Sequence, residues 1–311
     1  MSRVTMPATS RRQLPIGDEI FLDHVGHFVR DAQAASRALR RAGFAPTPVS
    51  IQANKEPSTG RLAPTGLGNV TAMFARGYME VLFKNSDTTL AGELDAALAR
   101  RAGLHLAAFS VADAAAARER LAGAGFPVRE LVRMQRPVET ENGSGLAAFT
   151  IARVKPMAMP EGRIQLLTHH TEDAVWQPRW LSHANSVCEL IDVVIAVGDV
   201  EEAAQRFARF TGRAATLTPG GALIRLDRGG IYLVSHDRAT EKLPEVPVTS
   251  LPFMIGYALR VESLAAAEAA VNGADLEWRA FEDGIVATFP AELGQGAWFF
   301  VEAAERLPWR R

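Results

Sequence analysis

Apolar and polar positions along the chain follow a phrase that returns four times. Each copy opens with a run of apolar, partly β-branched residues, passes through a short acid-bearing turn, and continues as an alanine-rich stretch with helical spacing. The copies begin at Phe21 (FLDHVGHFVRDAQAASRALRRAGF), Leu104 (LHLAAFSVADAAAARERLAGAGF), Leu190 (LIDVVIAVGDVEEAAQRFARFTG) and Phe253 (FMIGYALRVESLAAAEAAV). An apolar run bounded by turn signals predicts a strand. Asp31, Asp113, Asp199 and Ser263 (or Glu262) then stand where a helix needs a side-chain acceptor for its first free N–H groups. Gly43, Gly125 and Gly212 fall where three of those helices should end. Three shorter strand-like segments follow each helix, so each copy reads as β-α-β-β-β.

One such unit cannot bury both faces of its own sheet, so units must pair. The expected fold is α+β: four βαβββ modules forming two paired half-barrels. Copies one and two are joined by SDTTLAGELDAALARRAG, which predicts a short helix. Copies two and three are joined by a long segment rich in Trp, His and Pro, and copies three and four by the Pro-rich EKLPEVPVTSLP. These links suggest a leader over residues 1–18, expected to be disordered, an N-terminal domain over 19–182 and a C-terminal domain over 183–311.

Composition narrows the function. The chain has 311 residues, 48% hydrophobic and 22% charged, with net charge −1 and the two signs mixed. That is ordinary for a globular protein and gives no basic footprint for nucleic acid or a membrane surface. No apolar run approaches the roughly 20 residues of a membrane span, and the N-terminal stretch lacks the apolar core of a signal peptide. The single cysteine, Cys188, excludes an intrachain disulfide and a cysteine metal cluster. The expectation is a cytoplasmic protein that takes a small-molecule ligand, with a homodimer as one possible state.

His24 and Glu80 each interrupt an apolar strand. A buried carboxylate must be paired, protonated or bound to a cation. An imidazole with a carboxylate is part of the donor set of non-haem metal sites, and it is equally a His–Glu hydrogen bond in a metal-free pocket. His27 belongs on the face opposite His24. The pair His169–His170 leaves the strand GRIQLL with adjacent side chains diverging, so one faces the cavity mouth, where an imidazole suits proton transfer. Trp176 follows in an aromatic segment that forms either a pocket wall or packing between the halves. Asn69 is a candidate ligand contact, and Arg76 or Arg163 a clamp for a substrate carboxylate.

Tandem units with His opening one strand and Glu closing another resemble the vicinal oxygen chelate superfamily, and more narrowly the bacterial glyoxalase-like proteins. The phrases that carry the likeness are LDHVGHFVRD, TGLGNVTAMFARGYMEVLF and QLLTHHTEDAVWQPRWLSHANSV. The resemblance implies a divalent metal, Fe(II), Mn(II) or Zn(II), held inside the curved sheet by His24, Glu80 and Gln165. Leu106 stands where the second copy should give a ligand, with His105 one residue out of register. Asp192 and Gly256 hold the matching places in copies three and four, so the second half is expected to be structural or to shape the pocket. The implied activity is lyase, isomerase or dioxygenase chemistry on a small substrate with vicinal oxygens. A metal-free module that sequesters a small ligand is the alternative, and an assembly scaffold a third.

Overall fold

A computed structural model describes residues 12–55, 59–141 and 143–311. The four phrases become four βαβββ units. The first contains β1 (Ile20–Phe28), α1 (Ala32–Arg41), β2 (Ser50–Lys55), β3 (Leu62–Met73) and β4 (Tyr78–Lys84). Helix α2 (Thr89–Arg100) is the expected link to the second unit: β5 (Gly103–Val111), α3 (Ala114–Gly123), β6 (Val132–Thr140), β7 (Gly143–Arg153) and β8 (Arg163–His169). A single turn, α4 (Glu172–Val175), precedes the third: β9 (Val187–Val197), α5 (Val200–Thr211), β10 (Ala215–Thr218), β11 (Gly221–Arg225) and β12 (Gly230–Ser235). Helix α6 (His236–Lys242) leads towards β13 (Phe253–Val261), α7 (Leu264–Gly273), β14 (Trp278–Phe281), β15 (Gly284–Thr288) and β16 (Ala297–Val301). Each N-cap is the residue anticipated: Asp31, Asp113, Asp199 and Ser263 accept from the first-turn amides of α1, α3, α5 and α7. Such a cap is worth about 1 kcal/mol. No helix among the described residues is long and apolar enough to cross a membrane.

The two halves close differently. In the first, the strand order β1-β4-β3-β2-β6-β7-β8-β5 returns on itself as a closed barrel. Its seam is thin, since β2 meets β6 only at Ala53–Gln135 and Asn54–Met134. In the second, β10-β11-β12-β9-β13-β16-β15-β14 stays an open sheet. Its edge strands β10 and β14 have only four residues each, too short to reach across the cradle. The first half-barrel is therefore more fully closed than the sequence pattern implied.

Three cores hold this together. One fills the barrel, one lines the open sheet, and the third joins the halves through outward faces such as Val25, Val81 and Phe109 against Val193, Ile195 and Trp298. Backbone bonds stitch the junction, with Leu22 N–H donating to Arg228 O (2.8 Å) and Arg76 N–H to Cys188 O (3.2 Å). The expected leader lies over residues 1–18, of which 1–11 fall outside the described residues. Over the remainder, Gln13 is buried with its amide donating to Ala75 O, and Arg228 donates to Arg12 O.

His27 sits in the junction, on the face opposite His24. Its Nδ1–H donates to Leu293 O (3.0 Å), so Nε2 accepts from the Tyr257 hydroxyl (3.0 Å), which in turn accepts from Trp298 Nε1–H (2.6 Å). Burial lowers the His27 pKa from 6.5 to about 4, against the pull of the Leu293 carbonyl. The unfolded chain therefore binds the extra proton first, and stability falls as pH drops from 6.5 towards 4, by on the order of 3 kcal/mol from this group. A calorimetric pH series should show His27→Gln with a shallower loss of Tm over that range than the parent.

Residues 309–310 cover one part of the open cradle, beside a cavity of about 660 Å³ lined by Tyr232, Ile255, Phe299 and Trp309. Arg310 pairs with Asp192 through Nε (2.7 Å) and Nη2 (2.5 Å), and Trp309 Nε1–H donates to the same carboxylate (2.8 Å). The Trp309 indole lies parallel to Tyr232 at 4.8 Å. Gly230 permits this approach, because a β-carbon there would stand 2.6 Å from Asp192 Oδ1. Arg310→Met should cost about 3–5 kcal/mol in urea denaturation by leaving a buried carboxylate without its cation. The Asp192→Asn/Arg310→Met pair should recover part of that loss.

Candidate functional site

The barrel interior is assembled from alternate residues of its strands, and one irregularity gives it its chemistry. Where β1 pairs with β5, Leu22 opposes Phe109 and His24 opposes Ala108, so Asp23 is an extra, unpaired residue. Such a bulge re-aims side chains that regular alternation would send to opposite faces. Asp23 and His24 consequently meet, with His24 Nδ1 2.7 Å from Asp23 Oδ1. From the end of β8, His169 Nε2 reaches Asp23 Oδ2 at 2.8 Å. Burial alone would raise the Asp23 pKa, but His169 and His24 outweigh it and hold the carboxyl well below the usual range. As an ionised acceptor, Asp23 takes an N–H from each ring, which leaves His24 Nε2 pointing into the barrel.

His24 Nε2 faces Glu80 Oε2 at 3.7 Å, and Tyr78 lies against the His24 ring at 4.4 Å with a 19° tilt. The other Glu80 oxygen accepts from Asn69 Nδ2 (2.5 Å) and Gln52 Nε2 (3.1 Å). Deeper in the barrel, Gln165 Oε1 accepts from Arg153 Nε (2.9 Å). Arg136 is 6% exposed and its guanidinium makes no hydrogen bond among the described residues. Burial lowers the Arg136 pKa, with Tyr78 and Glu80 pulling it up. Free space beside the His24–Glu80 pair is about 20 Å³, room for one water. Arg136 also lines a crevice of about 320 Å³ between β2, β6 and Trp180, so it stands between that crevice and the interior.

The glyoxalase-like domain family matches residues 22–211, about three fifths of the chain. The chain belongs to the glyoxalase-like domain family. The match covers the barrel and continues into α5 of the second half. No curated protein sequence matches the chain. Solved structures share the fold. A hypothetical protein from Staphylococcus aureus is 8% identical with a TM-score of 0.63, covering 90% of this chain and 98% of its own. A mutant 4-hydroxymandelate synthase from Streptomyces coelicolor is 14% identical with a TM-score of 0.53, covering 91% and 92%. A fusion of a xylose isomerase-like TIM barrel with a 4-hydroxyphenylpyruvate dioxygenase is 11% identical with a TM-score of 0.54. There the match covers 93% of this chain and 50% of the fusion.

Within this glyoxalase-like barrel the register follows the repeat. Gly26 opposes Leu106 as His24 opposes Ala108, so Leu106 holds in β5 the place of His24 in β1. Glu80 lies beside Gly26 and Gln165 beside Ala108, which makes Gln165 the counterpart of Glu80. Of the residues singled out in the sequence, His24, Glu80, Gln165 and Arg163 line one cavity, with Asn69 bonded to Glu80 and His169 to Asp23. Trp176 closes that end of the barrel, 4.8 Å from His169 and 6.0 Å from Tyr78. His170 does not join them: it is exposed and meets Thr150 Oγ1 at 2.7 Å. Arg163 lines the cavity from the far end of β8, 5.2 Å over Phe28 and 3.4 Å from Glu93, and Arg76 pairs with Glu189 outside the barrel.

His24, Glu80 and Gln165, the ligand set expected for a divalent cation, line one cavity. The described residues contain no cluster of three or more His, Cys, Asp or Glu able to hold a metal ion. Gln165 has its amide oxygen committed to Arg153, Leu106 offers no donor, and the guanidinium of Arg136 acts electrostatically on Glu80. With Gln165 held by Arg153, His24 and Glu80 are the two donors left facing that space, one fewer than the three protein ligands of a catalytic metal centre.

Asp23, Gln52, Tyr78, Arg136 and Arg153 were not singled out in the sequence. Tyr78 shares a face with Glu80 by simple alternation, as Arg136 does with Met134 and Val138. Asp23 had no such signal, because alternation places it opposite His24. Asp23→Asn should cost about 3 kcal/mol in urea denaturation. It should also release the fixed His24 tautomer, read from two-bond 15N–1H correlations.

Proposed function

We propose that the barrel is an acid–base site that moves a proton on a small carbonyl or hydroxy-acid substrate without a resident metal. The observation that carries this reading is the convergence of His24 Nε2 and Glu80 Oε2 at 3.7 Å, with the imidazole oriented by Asp23. At that distance a substrate group or one water can sit between the imidazole nitrogen and the carboxylate oxygen and exchange a proton with either. This is the logic of a histidine held in one tautomer by a carboxylate.

The substrate body occupies the crevice beside Arg136, and its reactive carbon reaches the pair past that side chain. Glu80 takes the proton α to the carbonyl, and negative charge develops on the carbonyl oxygen. Arg136 is the group available to stabilise it. The proton then returns to carbon from the His24–Glu80 pair, so bonds and charge balance without an oxidant. Two fold relatives carry enzyme names, which supports catalysis on this scaffold. Sequestration without turnover is the alternative, with the ligand kept in the crevice beside Arg136 because the space at the pair holds only one water.

One experiment separates these readings. A panel of 2-oxo and 2-hydroxy acids in D2O should include a compound whose α-hydrogen exchanges in the presence of the protein. Glu80→Gln should slow that exchange by about 100-fold or more. Binding without exchange would leave sequestration. Stoichiometric metal in protein purified without chelator, lost in His24→Ala, would restore the metal-dependent reading.

A further inference from the structure

A second feature lies at the end of the barrel opposite Trp176. There α2 and the β7–β8 connection enclose a cleft of about 250 Å³, floored by Phe28 and Met159. Its walls bring together Arg100, Arg129, Arg153, Lys155 and Arg163, with Glu93 as the single carboxylate among the lining residues. Glu93 is already shared, 3.1 Å from Arg129 and 3.4 Å from Arg163. His105, also in the wall, has its pKa lowered to about 4 by burial and adds no charge near neutrality.

Arg153 is the decisive residue. It is 8% exposed, its Nε is fixed on Gln165, and its two terminal nitrogens have no acceptor among the described residues. Burial lowers its pKa to about 9, and Arg163 and Arg129 push the same way. Crowding guanidinium groups out of water without an anion is unfavourable, and the fork of an arginine matches the oxygens of phosphate or carboxylate. Glu93, with Glu80 acting from the barrel interior, offsets only part of this field.

We propose that this cleft binds a small organic molecule through a doubly charged oxyanion head, a phosphate monoester or a dicarboxylate, anchored by Arg153 and Arg163. The apolar floor takes a short carbon body, and the volume excludes a polymer. Arg153 and Arg163 also line the cavity beside His24 and Glu80, so the cleft opens onto that cavity; binding at this opening is read by affinity, whether or not the pair is reactive.

Titration calorimetry on the full chain tests it, with inorganic phosphate and malonate as probes, and acetate and chloride as controls at matched ionic strength. One equivalent of phosphate or malonate should bind, at least about tenfold tighter than acetate. The dianion that binds better identifies the head group. The Arg129→Ala/Lys155→Ala variant alters the cleft's outer wall and leaves the core intact, so it should fold as the parent and bind about tenfold more weakly. Arg153→Lys keeps the charge but loses the fork, and should weaken binding as well. Equal affinity for dianions and acetate, no binding above chloride, or unchanged binding in the double variant would overturn the proposal.

Discussion

The buried Asp23 carboxylate between two imidazoles is the interaction on which the site depends. It is fully enclosed, and it remains ionised because His169 and His24 each give it an N–H. That arrangement ties the first strand of the barrel to the last strand of the second unit. It also fixes which nitrogen of His24 faces Glu80. The physical origin is one extra residue in β1, since a regular strand would place Asp23 and His24 on opposite faces.

The same unit, used four times, reaches two different outcomes. In the first half the strands close and the interior collects carboxylates, imidazoles and guanidinium groups. In the second half, Asp192 takes the place of His24, and Arg310 and Trp309 neutralise and cover it. Tyr232 and Phe299, where Glu80 and Gln165 would be, pack against that indole. The family match nevertheless extends into this half, and the two sheets share one buried core between their outer faces.

The barrel interior is positively biased on the side away from His24. Arg136 and Arg153 are both held in low-dielectric surroundings, one at each lateral opening. A divalent cation would add to that bias, whereas an anionic ligand relieves it. The replacement of one expected ligand position by Leu106 and of another by Gln165 points the same way.

Much of this was legible in the sequence. The period of the apolar runs, the capping residues Asp31, Asp113, Asp199 and Ser263, and the glycines that follow three helices specify four βαβββ units through local chemistry alone. Alternation also placed His24 with Glu80 inside, His27 outside, and Leu106 in the empty ligand position. What the tertiary structure decided were contacts between segments far apart in the chain. His169 meets Asp23 across 146 residues, and Arg310 meets Asp192 across 118. The closure of one sheet but not the other depended on whether edge strands were long enough to meet. Local periodicity carries no information about a bulge or about which distant charge answers a buried one, because both are settled by the pairing of strands in space.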